Sequence, residues 1–453
     1  MRRPPDIPMD ALFRDIARLD PEAQAAYMAL HSPLDEQGRY LPFDELFYRF
    51  PESMDITLAW GIIKSARRQQ QQSLMFPRPP LASASFMLTP LIQRTVSQAD
   101  RYATTHALQG MSDKVGERER LGYLLEGLIE DEAISSSQLE GAATTLHVAK
   151  KMLRRNREPR TADERMILGN YKLMQHAWQV RDQPLSLAMI CDFHRIAVAG
   201  IDDDQYRPGA FRDTDDVVVV DQDGDIVHQP PPAEGLEARL QSVCDWVNAC
   251  HDDAQRPEYL HPLVKAVVLH FTIGFEHPFR DGNGRVARAL FYWFMFKNEY
   301  AAFRYIAISV LLKRAATRYG KSYLYSETDG LDLTYFIEYQ CEVIGRAIAL
   351  FQENFQRVAR DIEEFDAWLD RSGLNQRMSH RHQLVLQVAR AGLANVFTIT
   401  NVADRLGCSY NTAAKVLNDL VDYGLFRKRK AGREWLYSMR QRREIISDWR
   451  DVR

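Results

Sequence analysis

The stretch from His261 to Phe296 constrains the fold of this chain more than any other. "HPLVKAVVLHFTIGFEHPF" sets Leu263, Val264, Ala266, Val267, Val268, Leu269 and Phe271 almost all round one helix, and "RVARALFYWFMF" begins a second of the same kind. A helix that is apolar on every side has no face for water and belongs at the centre of a bundle. Other helices must cover it. Helical periodicity runs from about Leu88 to Met174, including "RERLGYLLEGLIEDEAI" and "LHVAKKMLRR", and resumes at "EGLEARLQSVCDWVNAC". Residues 1–68 read as short helices, and Gln69–Ser85, with its glutamines and prolines, as a linker or loop. The strongest β-signal lies between Asp213 and Pro232: Val217–Val220, a turn at "DQDGD", then "IVH". The expected body is mainly α with one hairpin, and no internal repeat is visible.

Between the two apolar helices stands "HPFRDGNGRVAR". Gly282 and Gly284 cost backbone entropy at the start of a helix, so something must offset them. A Gly-Asn-Gly turn leading into a helix leaves several N–H groups pointing outward at the positive end of the helix dipole, which suits an anion. Arg285 and Arg288 are three apart and share a face, and two guanidinium groups can grip a polyphosphate. Asp281 beside phosphates calls for a cation such as Mg²⁺ between them. His277 is the local group able to take a proton near neutral pH. Each feature alone has a plain structural reading, as a common loop or a core histidine. Together on one loop they suit nucleotide-dependent transfer to a hydroxyl.

These residues resemble the signature of the Fic family, His-x-Phe-x-(Asp/Glu)-Gly-Asn-Gly-Arg-x-x-Arg, with every specified position filled. The resemblance implies an all-helical core with a β-hairpin flap, and transfer of AMP from ATP to a Ser, Thr or Tyr hydroxyl of a target protein with Mg²⁺. It implies His277 as general base, Phe279 packed into the core and Asp281 on the metal. Gly282, Asn283 and Gly284 would cradle phosphates, Arg285 clamp the α/β region and Arg288 reach the γ-phosphate. "PGAFR" (Pro208–Arg212) and "HQPPP" (His228–Pro232) look like the entry to and exit from the flap, which would hold a target by strand addition. His261 and His270 read as polar contacts at a helix end or in the core rather than as metal ligands. The family's aromatic pair near adenine has no clear counterpart in "RYGKSYLYS" around Tyr319, so the base pocket stays unassigned.

"SSSQLEGAATT" (Ser135–Thr145) has two readings. Ser137 and Glu140 have the spacing of a capping box before a helix. They also lie in a match to the family's inhibitory motif, (Ser/Thr)-x-x-x-Glu-(Gly/Asn), filled by Ser136, Glu140 and Gly141. That resemblance implies that Glu140 pairs with Arg288 and denies the γ-phosphate its partner.

Charge is uneven along the chain. Residues 371–453 hold 16 Lys+Arg against 7 Asp+Glu, a net +9, and with −3 overall the first 370 residues carry −12. Phe397–Met439 resembles a winged helix-turn-helix: "TNVADRL", a turn at Gly407, "SYNTAAKVLNDLVDYG", and two strands in "FRKRKAGREWLYSM" around a basic tip. Tyr410, Asn411, Thr412 and Lys415 would face a DNA groove, unless the module recognises protein instead. The expected division is an N-terminal helical region at 1–80, a Fic-type core at 81–370 with the inhibitory helix at about 131–150, and the winged helix at 371–453. Five scattered cysteines without CxxC spacing argue against a disulfide framework or zinc site. "MRRPPDIPMD" lacks the apolar segment of a signal peptide, and no run suffices for a membrane span, so the cytoplasm is expected. The leading function is an autoinhibited adenylyltransferase that could also remove AMP. The alternative is a transcription regulator whose Fic-type core senses nucleotide. The target and the oligomeric state, homo-oligomer or monomer, are not legible.

Overall fold

The first apolar stretch forms the helix Pro262–Glu276, in which every residue from Leu263 to Ile273 is buried. His261 caps it, its Nδ1 accepting the Leu263 N–H at 3.0 Å, and Pro262 fills the first helical position where no N–H is needed. The second forms Asn283–Lys297, buried from Arg285 to Phe296. The helices Ala162–Gln179 and Leu187–Ala197 cover the second, and Leu236–Asn248 packs on the first. In this computed structural model the described residues are 1–115, 118–154, 157–201, 206–220, 226–253, 255, 259–390, 396–431 and 434–450.

The chain divides into two compact units, one of residues 1–104 and 129–348, the other of 105–128 and 349–453. In the first, the N-terminal helices attach through buried charge as well as apolar contact. Arg67, on the helix Ile56–Gln70, is 1% exposed; it donates to Pro33 O at 3.1 Å, Leu41 O at 2.8 Å and the Tyr335 hydroxyl at 2.7 Å, and lies 3.8 Å over the Tyr40 ring. A buried guanidinium is tolerated only when its donors are met in this way. Gln69–Ser85 lies inside this unit, with Phe76 stacked on Trp246 at 4.3 Å and Gln72–Ser73 paired with Ser85–Phe86.

Val219–Val220 and Ile226–His228 pair antiparallel, with Val219 opposite His228 and a register shift before Val220 meets Ile226. The expected turn at Asp221–Asp225 lies outside the described residues. The side chains of Val220 and Ile226 are exposed.

The second unit has its own core, with Leu386, Val402, Ala413, Leu417, Leu420, Leu425, Phe426 and Tyr437 among its members. The helices Ile399–Leu406 and Tyr410–Asp422 are joined through Gly407, whose φ of 56° suits glycine, and are capped by Thr398 and Ser409. Phe426–Ala431 and Glu434–Met439 pair from Phe426↔Met439 to Ala431↔Glu434, and Phe397 exchanges both backbone bonds with Tyr437 at 2.7 and 2.8 Å. The two residues between these strands, 432 and 433, are outside the described set. No described helix is long and apolar enough to cross a membrane, and all five cysteines are free thiols.

Candidate active site

The loop between the apolar helices begins at His277, a left-handed residue (φ 46°) that ends the first helix, and closes at Gly282 (φ 81°), which starts the second. Asn283 ties the loop to itself: its Oδ1 accepts the Phe279 N–H at 2.9 Å and its Nδ2 donates to Phe279 O at 2.7 Å. Phe279 is fully buried. Gly282 is needed for its left-handed backbone, and Gly284, which is helical, for the close approach of Glu140. A Cβ on Gly282 would stand 3.2 Å from Val198 Cγ1, and one on Gly284 would stand 2.3 Å from Glu140 Oε1.

His277 Nδ1 lies 3.2 Å from Gly274 O, which can only accept, so Nδ1 carries the proton and Nε2 the lone pair. Burial lowers the His277 pKa to about 4, with His228 and Arg212 acting in the same sense against the Gly274 carbonyl and Glu140. The ring is therefore neutral at physiological pH, with the lone pair on Nε2. Gly274 lets a neighbouring helix, Ala316–Thr328, come close: a Cβ there would be 2.6 Å from the Tyr323 hydroxyl. Tyr319, on the same helix, places its hydroxyl 2.8 Å from Nε2 of the buried His270.

The two loop arginines are in different states. Arg288 donates through Nε to Ser136 Oγ at 2.8 Å and through Nη2 to Ser136 O at 3.0 Å and Glu140 Oε1 at 2.6 Å. Burial would weaken its charge, and Glu140 outweighs that, so its pKa is raised. Burial likewise pushes the Glu140 carboxyl up, and Arg288, with help from Arg285, brings it below the usual carboxylate range. Arg285 is fully buried, yet only Nη1 is bonded, to Ala197 O at 2.7 Å. Its Nε and Nη2 have no hydrogen-bond partner, and Asp281 Oδ1 is 3.9 Å from Nη2. Unmet donors on a buried guanidinium are costly, and an anion would satisfy them.

Glu140 stands at the end of the helix Arg118–Leu139, and Gly141 (φ 95°) turns the chain toward the next helix, Leu146–Arg154. The span 131–150 is thus two helices with a turn between them. Ser137 is in the last turn of the first helix, its hydroxyl donating to Ala133 O at 2.9 Å, so it does not cap the helix that follows; Thr145 Oγ1 takes that position, 3.5 Å from the Val148 N–H.

Asp281 is partly exposed, with its Oδ1 accepting the Gly282 N–H. Among the described residues no group of three or more His, Cys, Asp or Glu could hold a metal ion. A single carboxylate next to an anion cradle fits Mg²⁺ bound mainly through phosphate oxygens and water.

Three residues that the sequence reading gave no role hold this loop. Arg212 donates through Nε to His277 O at 3.0 Å and through Nη1 to Thr214 O at 3.2 Å, and also bonds Pro231 O, so it joins the His277 backbone to both legs of the hairpin. His228 links the second strand to Phe275 O at 2.8 Å through Nε2 and to Glu327 at 2.8 Å through Nδ1. His194, on Leu187–Ala197, stacks on Phe279 with ring centroids 3.8 Å apart. "PGAFR" and "HQPPP" at least marked the neighbourhood of the first two. For His194 the signal was a histidine on the apolar face of its helix, in line with Ile190, Phe193 and Ala197, which many core histidines share.

Residues 184–295 match the model described as the Fic/DOC family. The chain is 26% identical over 314 residues to a protein adenylyltransferase Fic of Nematostella vectensis, covering 63% of this chain and 67% of that protein. It is 25% identical to the protein of the same name in Drosophila virilis, spanning 44% of this chain and less than half, 46%, of that one. A solved Fic family protein from Desulfovibrio desulfuricans G20 superposes with a TM-score of 0.49 at 17% identity, covering 78% of this chain and 97% of the other. Glu140 and Ser136 lie outside the matched residues, whereas the loop and the helix Leu187–Ala197 beneath it fall inside the stretch that matches the Fic/DOC family.

Proposed function

We propose that this chain is an autoinhibited protein adenylyltransferase, transferring AMP from ATP to a Ser, Thr or Tyr hydroxyl of a target protein. The observation that carries the reading is the asymmetry of the two arginines: Arg285 is buried with two unmet donors, and Arg288 is held by Glu140 and Ser136. That arrangement suits a polyphosphate cradle with one end free and the other blocked. The relatives' names supply adenylylation as the reaction class.

In this reading His277 Nε2 takes the proton of the acceptor hydroxyl as its oxygen bonds to the α-phosphorus. The bond from that phosphorus to the bridging oxygen breaks, and pyrophosphate leaves. The loop N–H groups and Arg285 stabilise charge on the phosphates, as preorganised donors do in a water-poor site. Asp281 would hold Mg²⁺, which when bound neutralises phosphate charge. The exposed edge at Val219–Val220 would bind the target main chain by strand addition, acting as the flap. Residues 397–439 would form a winged helix, with exposed Tyr410, Asn411 and Lys415 available to a DNA groove.

The test is incubation with α-labelled ATP, Mg²⁺ and a cell lysate, comparing the wild type with Glu140→Gly. Label on a protein, stronger with Glu140→Gly, supports the reading. Nucleotide binding without label from either form would favour the second reading, a nucleotide-sensing regulator.

A further inference from the structure

His194 is fully buried at the last turn of the helix Leu187–Ala197, and a buried imidazole needs a partner for each nitrogen. Its Nδ1 accepts the Gly209 N–H at 3.0 Å, which puts the ring proton on Nε2. That Nε2–H donates to the Asp281 backbone carbonyl at 3.0 Å. One ring thus joins the residue that would hold the metal to "PGAFR", the segment leading into the hairpin. The same helix floors the loop elsewhere: Ala197 O receives Arg285, and Val198 and His194 would stand 3.2 and 3.3 Å from a Cβ on Gly282.

We propose that His194 is a positioning residue for the metal–nucleotide complex, fixing the Asp281 backbone, and so the direction of its carboxylate, against the base of the hairpin. This rests on the functional reading above. An outer group of this kind sets a ligand's orientation, and its loss typically weakens metal binding by about 10–100-fold. A purely structural histidine would cost folding stability and leave metal affinity alone.

The experiment uses the full chain carrying Glu140→Gly, with a non-hydrolysable ATP analogue and Mn²⁺ as a paramagnetic probe. His194→Asn can keep an acceptor near the Nδ1 position for Gly209 and loses the donor to Asp281. His194→Gln can place an amide N–H near the Nε2 position and restores that donor. Mn²⁺ affinity in the presence of the analogue should fall by roughly tenfold or more in His194→Asn and recover most of that in His194→Gln. Analogue affinity measured without divalent cation should change little in either, because Arg285 and the loop N–H groups are retained. Equal Mn²⁺ affinity in all three folded proteins overturns the role, as does an Asn variant that loses metal-free analogue binding to the same degree. A parent that binds neither analogue nor Mn²⁺ overturns the functional reading itself and this role with it.

Discussion

Two stretches of this chain carry their cations in opposite ways. On the loop, Arg285 and Arg288 are 0% and 1% exposed, each aimed by named partners. On the strand Phe426–Ala431, the side chains of Arg427, Lys428, Arg429 and Lys430 all face solvent. A buried guanidinium acts through a few short directional bonds, which salt screens little. An exposed row attracts phosphate over a distance and loses that attraction as counterions compete. Changes on the loop should therefore alter chemistry by large factors at any ionic strength. Changes on the strand should alter affinity modestly and in proportion to salt.

The largest effect is expected at His277. His277→Ala should lower label transfer by ~10²–10⁴-fold with nucleotide binding retained, since the base is lost and the cradle is kept. Full activity in that variant would remove His277 from the mechanism. Next in size is Glu140→Gly, which frees Arg288 from its carboxylate and should raise transfer by roughly one to three orders of magnitude, given that partly buried pairs are worth a few kcal/mol. The gain should persist from low to high salt. A lowered melting temperature with unchanged transfer would leave Glu140 as a purely structural contact.

The strand should respond more weakly. If residues 397–439 bind DNA, replacing Lys428, Arg429 and Lys430 by Ala should reduce the slope of log affinity against log salt by about 0.9 per lost phosphate contact. Anisotropy titrations at several salt concentrations measure this. No binding by the wild type even at low salt would assign the module to a protein partner.

An effect of another kind is expected on stability against pH. Burial lowers His194 and His277 to about 4 and His270 to about 3, from an ordinary 6.5. Through these three rings the unfolded chain binds protons that the folded chain refuses, so each contributes stability that is lost as pH drops below about 6.5. His228, whose burial is outweighed by Glu327 so that its pKa is raised, contributes in the opposite sense. A melting temperature flat from pH 7 to 4.5 would contradict the buried neutral rings. The same shift predicts no acidic limb near 6.5 in the pH profile of kcat/KM.

What could be read without coordinates was local in the chain. His277 to Arg288 lie within one turn and one helix, so their spacing alone puts both arginines near one face of that helix. The all-round apolar pattern of Leu263–Phe271 likewise required burial, whatever covered it. The basic tail was legible from charge, and its two helices from Gly407 and the apolar spacing of Ala413, Val416, Leu417 and Leu420, all buried. Glu140 could be named as a partner for Arg288 only through a resemblance, because 148 residues separate them.

Tertiary structure alone decided which distant groups hold the loop. His194 meets Asp281 across 87 residues and Arg212 meets His277 across 65, and neither bond has a periodic trace in sequence. It also decided that Ser137 ends a helix where its spacing with Glu140 suggested the start of one. The S-x-x-E pattern is satisfied equally by a capping residue and by a hydroxyl bonded back to the carbonyl four residues earlier. The choice depended on where the following helix could begin, which the Gly141 turn set at Thr145. Above all, the unequal states of Arg285 and Arg288 are invisible in "GRVAR". Two identical side chains three residues apart differ because one is hydrogen-bonded by Ser136 and Glu140 and the other is hydrogen-bonded only to Ala197 O. A periodic pattern records which side of a helix is buried. It does not record what the buried polar atoms find there.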